Sequence, residues 1–303
     1  MTDIRVEIER CLTCYRGAIP GRKVKFVRGE PMRRQLSGAR AIVTGASSGI
    51  GRAIAARLVQ EGARVALASR SEGKLTELAR EIDPSGQNTL VVPTDLAIPA
   101  DRERLIQTVV DHWQGFDLLV NNAGIGSWGH FATSSEAILR QIMEVNFFAP
   151  VELTRLAMPI LEKGRSPVVV NVTSMCGRRG MPAWPEYSAS KFAFVGLSEA
   201  WRAEFARFGV DVVTIVPGLT KSDLNRNLLR SEGRADLPFD KGMTPEQVAE
   251  GVIKAIQSNR TEIVLGSEAK WMLRINRFAP RILNRLIARK ITRLYRSTDT
   301  PGA

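Results

Sequence analysis

Tyr187 and Lys191 stand four residues apart in Tyr187-Ser188-Ala189-Ser190-Lys191, and Ser174 lies thirteen residues before the tyrosine. That spacing puts a phenol and an ammonium on one face of a helix, one turn apart. A free phenol has a pKa near ~10 and is a poor acid-base catalyst at neutral pH. A fixed positive charge nearby favours the phenolate and draws that pKa down. Ser174 ends the apolar run Val168-Val169-Val170-Asn171-Val172-Thr173, which reads as a buried strand. A hydroxyl at a strand's carboxyl end could hold a carbonyl oxygen while the tyrosine protonates it. Taken alone, Tyr-x-x-x-Lys is equally the pattern of an ordinary exposed helix pair. The elements that position it must decide.

The chain has 303 residues, 44% of them hydrophobic, enough for one large domain. Its three cysteines, Cys11, Cys14 and Cys176, give no disulfide framework and point to a reducing compartment. Cys11 and Cys14 have CxxC spacing but no second pair and no nearby histidine, so no metal site is expected there. The first residues lack a signal-peptide layout, and no apolar run approaches the ~20 residues that cross a bilayer. A cytoplasmic protein is expected. The net charge of +12 is concentrated at the ends. Residues 1–38 hold nine basic and four acidic residues, residues 270–296 hold nine basic and none acidic, and the body comes to about minus one. That distribution argues against a nucleic-acid-binding core.

Along the chain, residues 1–38 are broken by Gly and Pro and read as an extension, with Val24–Val27 as a short edge strand. Strands are expected at 39–43, 64–69, 89–92, 116–120, 168–173, 210–216 and 262–265. Helices are expected at about 50–61, 72–82, 102–113, 135–158, 187–208 and 245–257. The alternation specifies an α/β, doubly wound Rossmann fold, with a seven-stranded parallel sheet covered by helices on both faces. After the first strand, Gly45, Gly49 and Gly51 let the backbone turn tightly and approach a pyrophosphate at the following helix N-terminus, together with Ser47, Ser48 and Ile50. The second strand ends at Ser69-Arg70, a base where an acid would bind a ribose 2′-hydroxyl, which points to NADP(H). Asp95 and Leu96 follow the third strand near an adenine's expected place, and Asn122, Ala123 and Gly124 follow the fourth. Asn146, between Val145 and Phe147, needs partners if buried: a structural bond or a water relay. Residues 219–243 are polar and irregular and suit a lid.

These residues together resemble the short-chain dehydrogenase/reductase family over about residues 39–265. Thr44-Gly45-x-x-x-Gly49-x-Gly51, Asn121-Asn122-Ala123-Gly124, Ser174, Tyr187-x-x-x-Lys191 and Pro217-Gly218 stand in the family's order. The resemblance implies Tyr187 as general acid/base and Ser174 orienting the carbonyl. It implies Lys191 binding the nicotinamide ribose and lowering the tyrosine pKa, and Asn146 holding a water. Pro217, Gly218 and either Thr220 or Ser222 would contact the carboxamide. Met175, Met181, Trp184 and Leu219 are expected near the substrate and are apolar, which suggests a lipid-, steroid- or aromatic-like carbonyl compound. A homodimer or homotetramer, paired through about 135–163 and 186–208, is expected by resemblance. The alternatives are a 3-oxoacyl-thioester reductase and a non-catalytic NADP(H)-binding scaffold.

The resemblance leaves out residues 266–303. Lys270, Arg274, Arg277, Arg281, Arg285, Arg289, Arg293 and Arg296 recur every three or four residues, interleaved with Trp271, Ile275, Phe278, Ile282, Leu286, Ile287, Ile291 and Leu294. As a helix, kinked or restarted at Pro280, this is a basic stripe beside an apolar one. It fits an anionic membrane surface or packing on protein; nucleic acid is not expected to be its partner.

Overall fold

A computed structural model describes residues 34–221, 224, 228–232 and 241–296. Val24–Val27, the Cys11/Cys14 pair and Ser222 lie outside the described residues. The strands are Arg40–Thr44 (β1), Arg64–Ser69 (β2), Thr89–Pro93 (β3), Leu118–Asn121 (β4), Val168–Val172 (β5), Asp211–Pro217 (β6) and Glu262–Leu265 (β7). They form one sheet in the order β3-β2-β1-β4-β5-β6-β7, with every neighbour parallel. The helices are Gly49–Gln60 (α1), Glu72–Ile82 (α2), Pro99–Trp113 (α3), Glu136–Met143 (α4), Ala149–Leu161 (α5), Pro185–Phe205 (α6), Pro245–Gln257 (α7), Ser267–Phe278 (α8) and Pro280–Arg296 (α9).

Strand residues alternate between two cores because successive side chains leave opposite faces. Val43, Leu67 and Val120 pack with Ile54 and Leu58 of α1 and Val252 of α7. Their neighbours Ile42, Ala66 and Leu119 pack with Val109 of α3, Leu153 of α5 and Phe194 of α6. Both faces are therefore covered, as the near-continuous apolar strands require. The order reverses between β1 and β4, and the crevice at their carboxyl ends is where this architecture takes ligands.

The structure departs from the sequence expectation in three places. The single helix expected over 135–158 is α4 and α5 joined by a π-turn, Glu144–Phe148, which carries Asn146. A π-turn admits an extra residue and shifts the side chains that follow. The third helix starts at Pro99, a residue whose missing N–H costs nothing at a helix start. Residues 34–38, read as extension, join the body. The buried Arg34 guanidinium donates to Ile256 O at 2.8 Å and pairs with Asp211 at 2.5 Å, and Leu36 is in the core.

Candidate active site

The crevice holds a cleft of about 430 Å³. Its floor is stitched by Thr44 at the end of β1. The Thr44 hydroxyl donates to Val120 O at 3.1 Å and accepts from Asn122 N at 3.0 Å and Ala123 N at 3.1 Å. The Asn122 amide donates back to Thr44 O at 2.9 Å. Gly45 has φ +66°, a conformation that a side chain rarely tolerates. Gly51 is required for space: a Cβ there would lie 2.2 Å from Gly45 O. Ser48 precedes α1 without capping it through its side chain, so the helix's first amides border the cleft with no side-chain acceptor from Ser48. Uncapped amides beside a glycine turn suit a phosphate.

The same cleft is lined by Ser47, Ser48, Gly49, Ile50, Arg70, Asp95, Leu96, Ala123, Gly124, Tyr187 and Lys191. Sequence reasoning missed Lys74, which lines the cleft four residues after Arg70 on α2. A lysine in the first turn of an exposed helix carries no signal in the sequence that separates it from a solvated surface charge.

At the other end, α6 carries Tyr187 and Lys191, both buried, at 7% and 4% exposure. The Lys191 ammonium donates to Val172 O at 3.2 Å and sits 5.8 Å from the Tyr187 ring centroid. Gly124 makes room for this group: a Cβ there would lie 3.5 Å from Lys191 Nζ and 3.2 Å from Asn146 Oδ1. The Asn146 side chain is spent on structure. It accepts from Ile125 N and donates to Ile125 O, both at 2.9 Å, and donates to Ser190 Oγ at 3.0 Å. Ser174 Oγ accepts from Cys176 N at 3.1 Å, and its hydroxyl beside Tyr187 favours the phenolate.

The electrostatics differ from the expectation that Lys191 lowers the tyrosine pKa. Burial pushes the Tyr187 phenol up, the neighbouring Cys176 pushes it further, and only Ser174 pulls back. Burial also pulls Lys191 down, from 10.5 to about 8. The lysine is itself desolvated, so its charge does not dominate the phenol. A lysine whose folded pKa is depressed binds fewer protons folded than unfolded between the two values. The Lys191 contribution to stability should therefore rise as pH climbs from about 8 towards 10, opposed by the buried Cys176 thiol, also reluctant to ionise, and above about 10 by the phenol. Lys191→Met should flatten that rise in urea denaturation followed against pH.

Several expected residues stand apart from the cleft lining. Gly51 lies behind its turn. Pro217 ends β6, Gly218 N donates to Leu265 O at 2.8 Å, and the buried Thr220 hydroxyl donates to Gly218 O at 3.0 Å. Met175, Met181 and Leu219 are half-buried outside it, as is Ser174. Trp184 meets the Tyr187 ring edge-on at 5.5 Å. Trp184 also borders Gly126, as does Leu228 of the 219–243 segment. The described part of that segment is strapped over the cleft. Leu229 N donates to Gly126 O, Trp128 N to Arg230 O and Glu232 N to Trp128 O, at 2.8–2.9 Å. Leu224 and Leu229 complete the lining.

A family model described as short chain dehydrogenase matches residues 39–233. The chain belongs to the short-chain dehydrogenase/reductase family. Among its relatives is a Nostoc sp. protein named ketoacyl reductase HetN, 32% identical over 83% of this chain and 88% of the relative. Solved members share the fold. A Burkholderia phymatum short-chain dehydrogenase/reductase in complex with NAD has a TM-score of 0.75 and 23% identity, over 82% of this chain and 96% of that one. A Burkholderia cenocepacia member in complex with NADP has a TM-score of 0.71 and 24% identity, over 84% and 99%. Fold likeness thus leaves the choice between the two cofactors to this chain's own residues.

Proposed function

We propose that this short-chain dehydrogenase/reductase interconverts a carbonyl and a secondary alcohol with NADP(H), on an apolar lipid-, steroid- or aromatic-like substrate. One observation carries the reading: Tyr187 and Lys191 line one end of a cleft whose other end holds Arg70 and Lys74. The glycine turn and uncapped α1 amides would hold the pyrophosphate, Asp95 and Leu96 the adenine side, and Lys191 with Asn122–Gly124 the nicotinamide ribose. When bound, the cofactor supplies the hydride. Tyr187 Oη holds the proton that the carbonyl oxygen takes up, and Ser174 Oγ donates to that oxygen and orients it. Because the phenol is pushed up by burial, it starts protonated, as reduction needs. Asn146 fixes the Ile125 loop behind Lys191, so a water relay through this residue would use its backbone carbonyl at the π-turn. Leu224, Leu229, Ile125 and Val145 give the substrate end an apolar wall, backed by Trp184 against Tyr187, which would exclude water. Met175, Met181 and Leu219, outside the cleft lining, would extend that wall once substrate is bound. Thr220 or Ser222, with Pro217 and Gly218, would close on the carboxamide.

The cofactor choice rests on two cations at one cleft end. Among the described residues neither Arg70 nor Lys74 makes an ion pair. A carboxylate to bind a 2′-hydroxyl is absent at Ser69-Arg70. Arg70→Ala/Lys74→Ala should weaken NADPH binding by about 10–100-fold, as expected for charge-assisted hydrogen bonds, with NADH unchanged. Calorimetry with both cofactors reads this directly. Equal affinities in the wild-type protein would remove NADP preference from the proposal.

A second reading, reduction of 3-oxoacyl thioesters, is favoured by the name of the Nostoc relative and by basic chain ends that would attract an acidic carrier. Faster turnover of carrier-bound thioesters than of free ketones would select it. Pairing of copies through α4–α5 and α6, giving a dimer or tetramer, belongs to the same proposal; exposed Phe148 and Phe192 support it.

A further inference from the structure

The last two helices take no part in the cleft, yet they are tied to the segments that follow Ser174 and Pro217. At the start of α8 the Glu268 carboxylate accepts Leu219 N–H at 3.0 Å, and Ala269 is fully buried. Arg179, on the segment after Ser174, donates to Asn276 Oδ1 of α8 at 3.1 Å and to Asn284 Oδ1 of α9. Leu283, Ile287 and Ile291, one turn apart, are the buried and half-buried line of α9.

A second apolar line faces outward. Trp271, Ile275, Phe278, Ile282 and Leu286 follow at steps of three and four residues across both helices, and all five are exposed, Trp271 by 63% and Phe278 by 81%. Half of the large exposed apolar side chains among the described residues lie on these two helices. Lys270, Arg274, Arg277, Arg281, Arg285 and Arg289 flank the line, also exposed, and no acidic residue occurs from 270 to 296. Among the described residues, no helix is long and apolar enough to cross a membrane. An amphipathic, basic helix pair of this kind lies in an interface rather than through it.

We propose that the consecutive helices α8 and α9 dock the protein on an anionic lipid bilayer, with the Trp271–Leu286 line in the interface and the flanking arginines on headgroup phosphates. Charge decides between occupants. A second copy on this face would set nine cations against nine with no acid to meet them. A nucleic acid would take the arginines but leave Trp271 and Phe278 in water. An anionic bilayer satisfies both stripes. Resting on the carbonyl-reductase reading, the ties through Arg179 and Glu268 put the membrane beside the segments that follow Ser174 and Pro217, so an apolar carbonyl compound would be drawn from the lipid.

The test is sedimentation of the full chain with vesicles of phosphatidylcholine alone or mixed with phosphatidylglycerol. Wild-type protein should pellet with the mixed vesicles only. Arg277→Glu/Arg281→Glu/Arg285→Glu should cut partitioning by at least on the order of a hundredfold, at about fivefold per basic residue lost. Trp271→Ser/Phe278→Ser/Leu286→Ser should cut it comparably, while circular dichroism and NADPH binding stay as in the wild type, since these side chains are exposed. Wild-type protein left in the supernatant with mixed vesicles would overturn docking. So would an apolar variant that binds as well as wild type, or one that only splits a dimer. Vesicle binding is read without turnover, so a failed carbonyl assay leaves this result standing.

Discussion

Tyr187→Phe is expected to lower the rate of carbonyl reduction by about 10²–10⁴-fold, the usual loss when a positioned acid-base group is removed. The ring keeps its edge-on contact with Trp184 at 5.5 Å and its place on α6, so the pocket shape survives. What goes is the phenolic hydroxyl, with its proton and its interaction with Ser174. NADPH should still bind, and stability should change by about 1 kcal/mol. Single-turnover kinetics with saturating NADPH separates the two effects. A variant that reduces ketones at the wild-type rate would take the acid-base role from Tyr187. Ser174→Ala should fall on the same side, slowing reduction with NADPH binding intact.

Gly51→Ala should destabilise the fold by about 3 kcal/mol and abolish NADPH binding, although it adds one methyl group. The new Cβ would lie 2.2 Å from Gly45 O and 2.3 Å from Asn122 Nδ2. Neither can retreat cheaply. Gly45 is already at φ +66°, and the Asn122 amide is committed to Thr44 O at the join of β1 and β4. Gly73→Ala is the control, since nothing lies within 4 Å of a Cβ in that turn of α2. There the same change should be neutral or stabilise by about 0.5–1 kcal/mol. Urea denaturation of the two variants reads the contrast. A Gly51→Ala protein as stable as Gly73→Ala would mean that the turn is not closed as described.

The parts of this protein legible in its sequence are those set by local rules. Thr44 to Gly51 reads as strand, glycine turn and helix because φ freedom and close approach leave few other residues to choose. Tyr187 and Lys191 share a face because 3.6 residues make a turn. The π-turn at Glu144–Phe148 was not legible: apolar periodicity runs through it, and the reason for it, Asn146 meeting the Ile125 backbone, lies 21 residues away. Arg34 reads as an extension because its partner Asp211 is distant in the chain. Lys74 is silent for another reason: four residues after Arg70 in the first turn of α2, it reads like any solvated surface lysine until the fold sets it at the cleft. Burial reverses the direction expected for Tyr187: spacing puts Lys191 near it, but only packing says that both lose water.

The most direct test of the whole account is reduction of apolar ketones with NADPH carrying deuterium at nicotinamide C4, with the alcohol product analysed by mass spectrometry and NMR. A secondary alcohol with deuterium on its carbinol carbon is expected, formed in step with NADPH oxidation and lost in Tyr187→Phe. Tight NADPH binding with no alcohol from any ketone, aldehyde or 3-oxoacyl thioester offered would contradict it, and would leave a cofactor-binding protein that performs no hydride transfer.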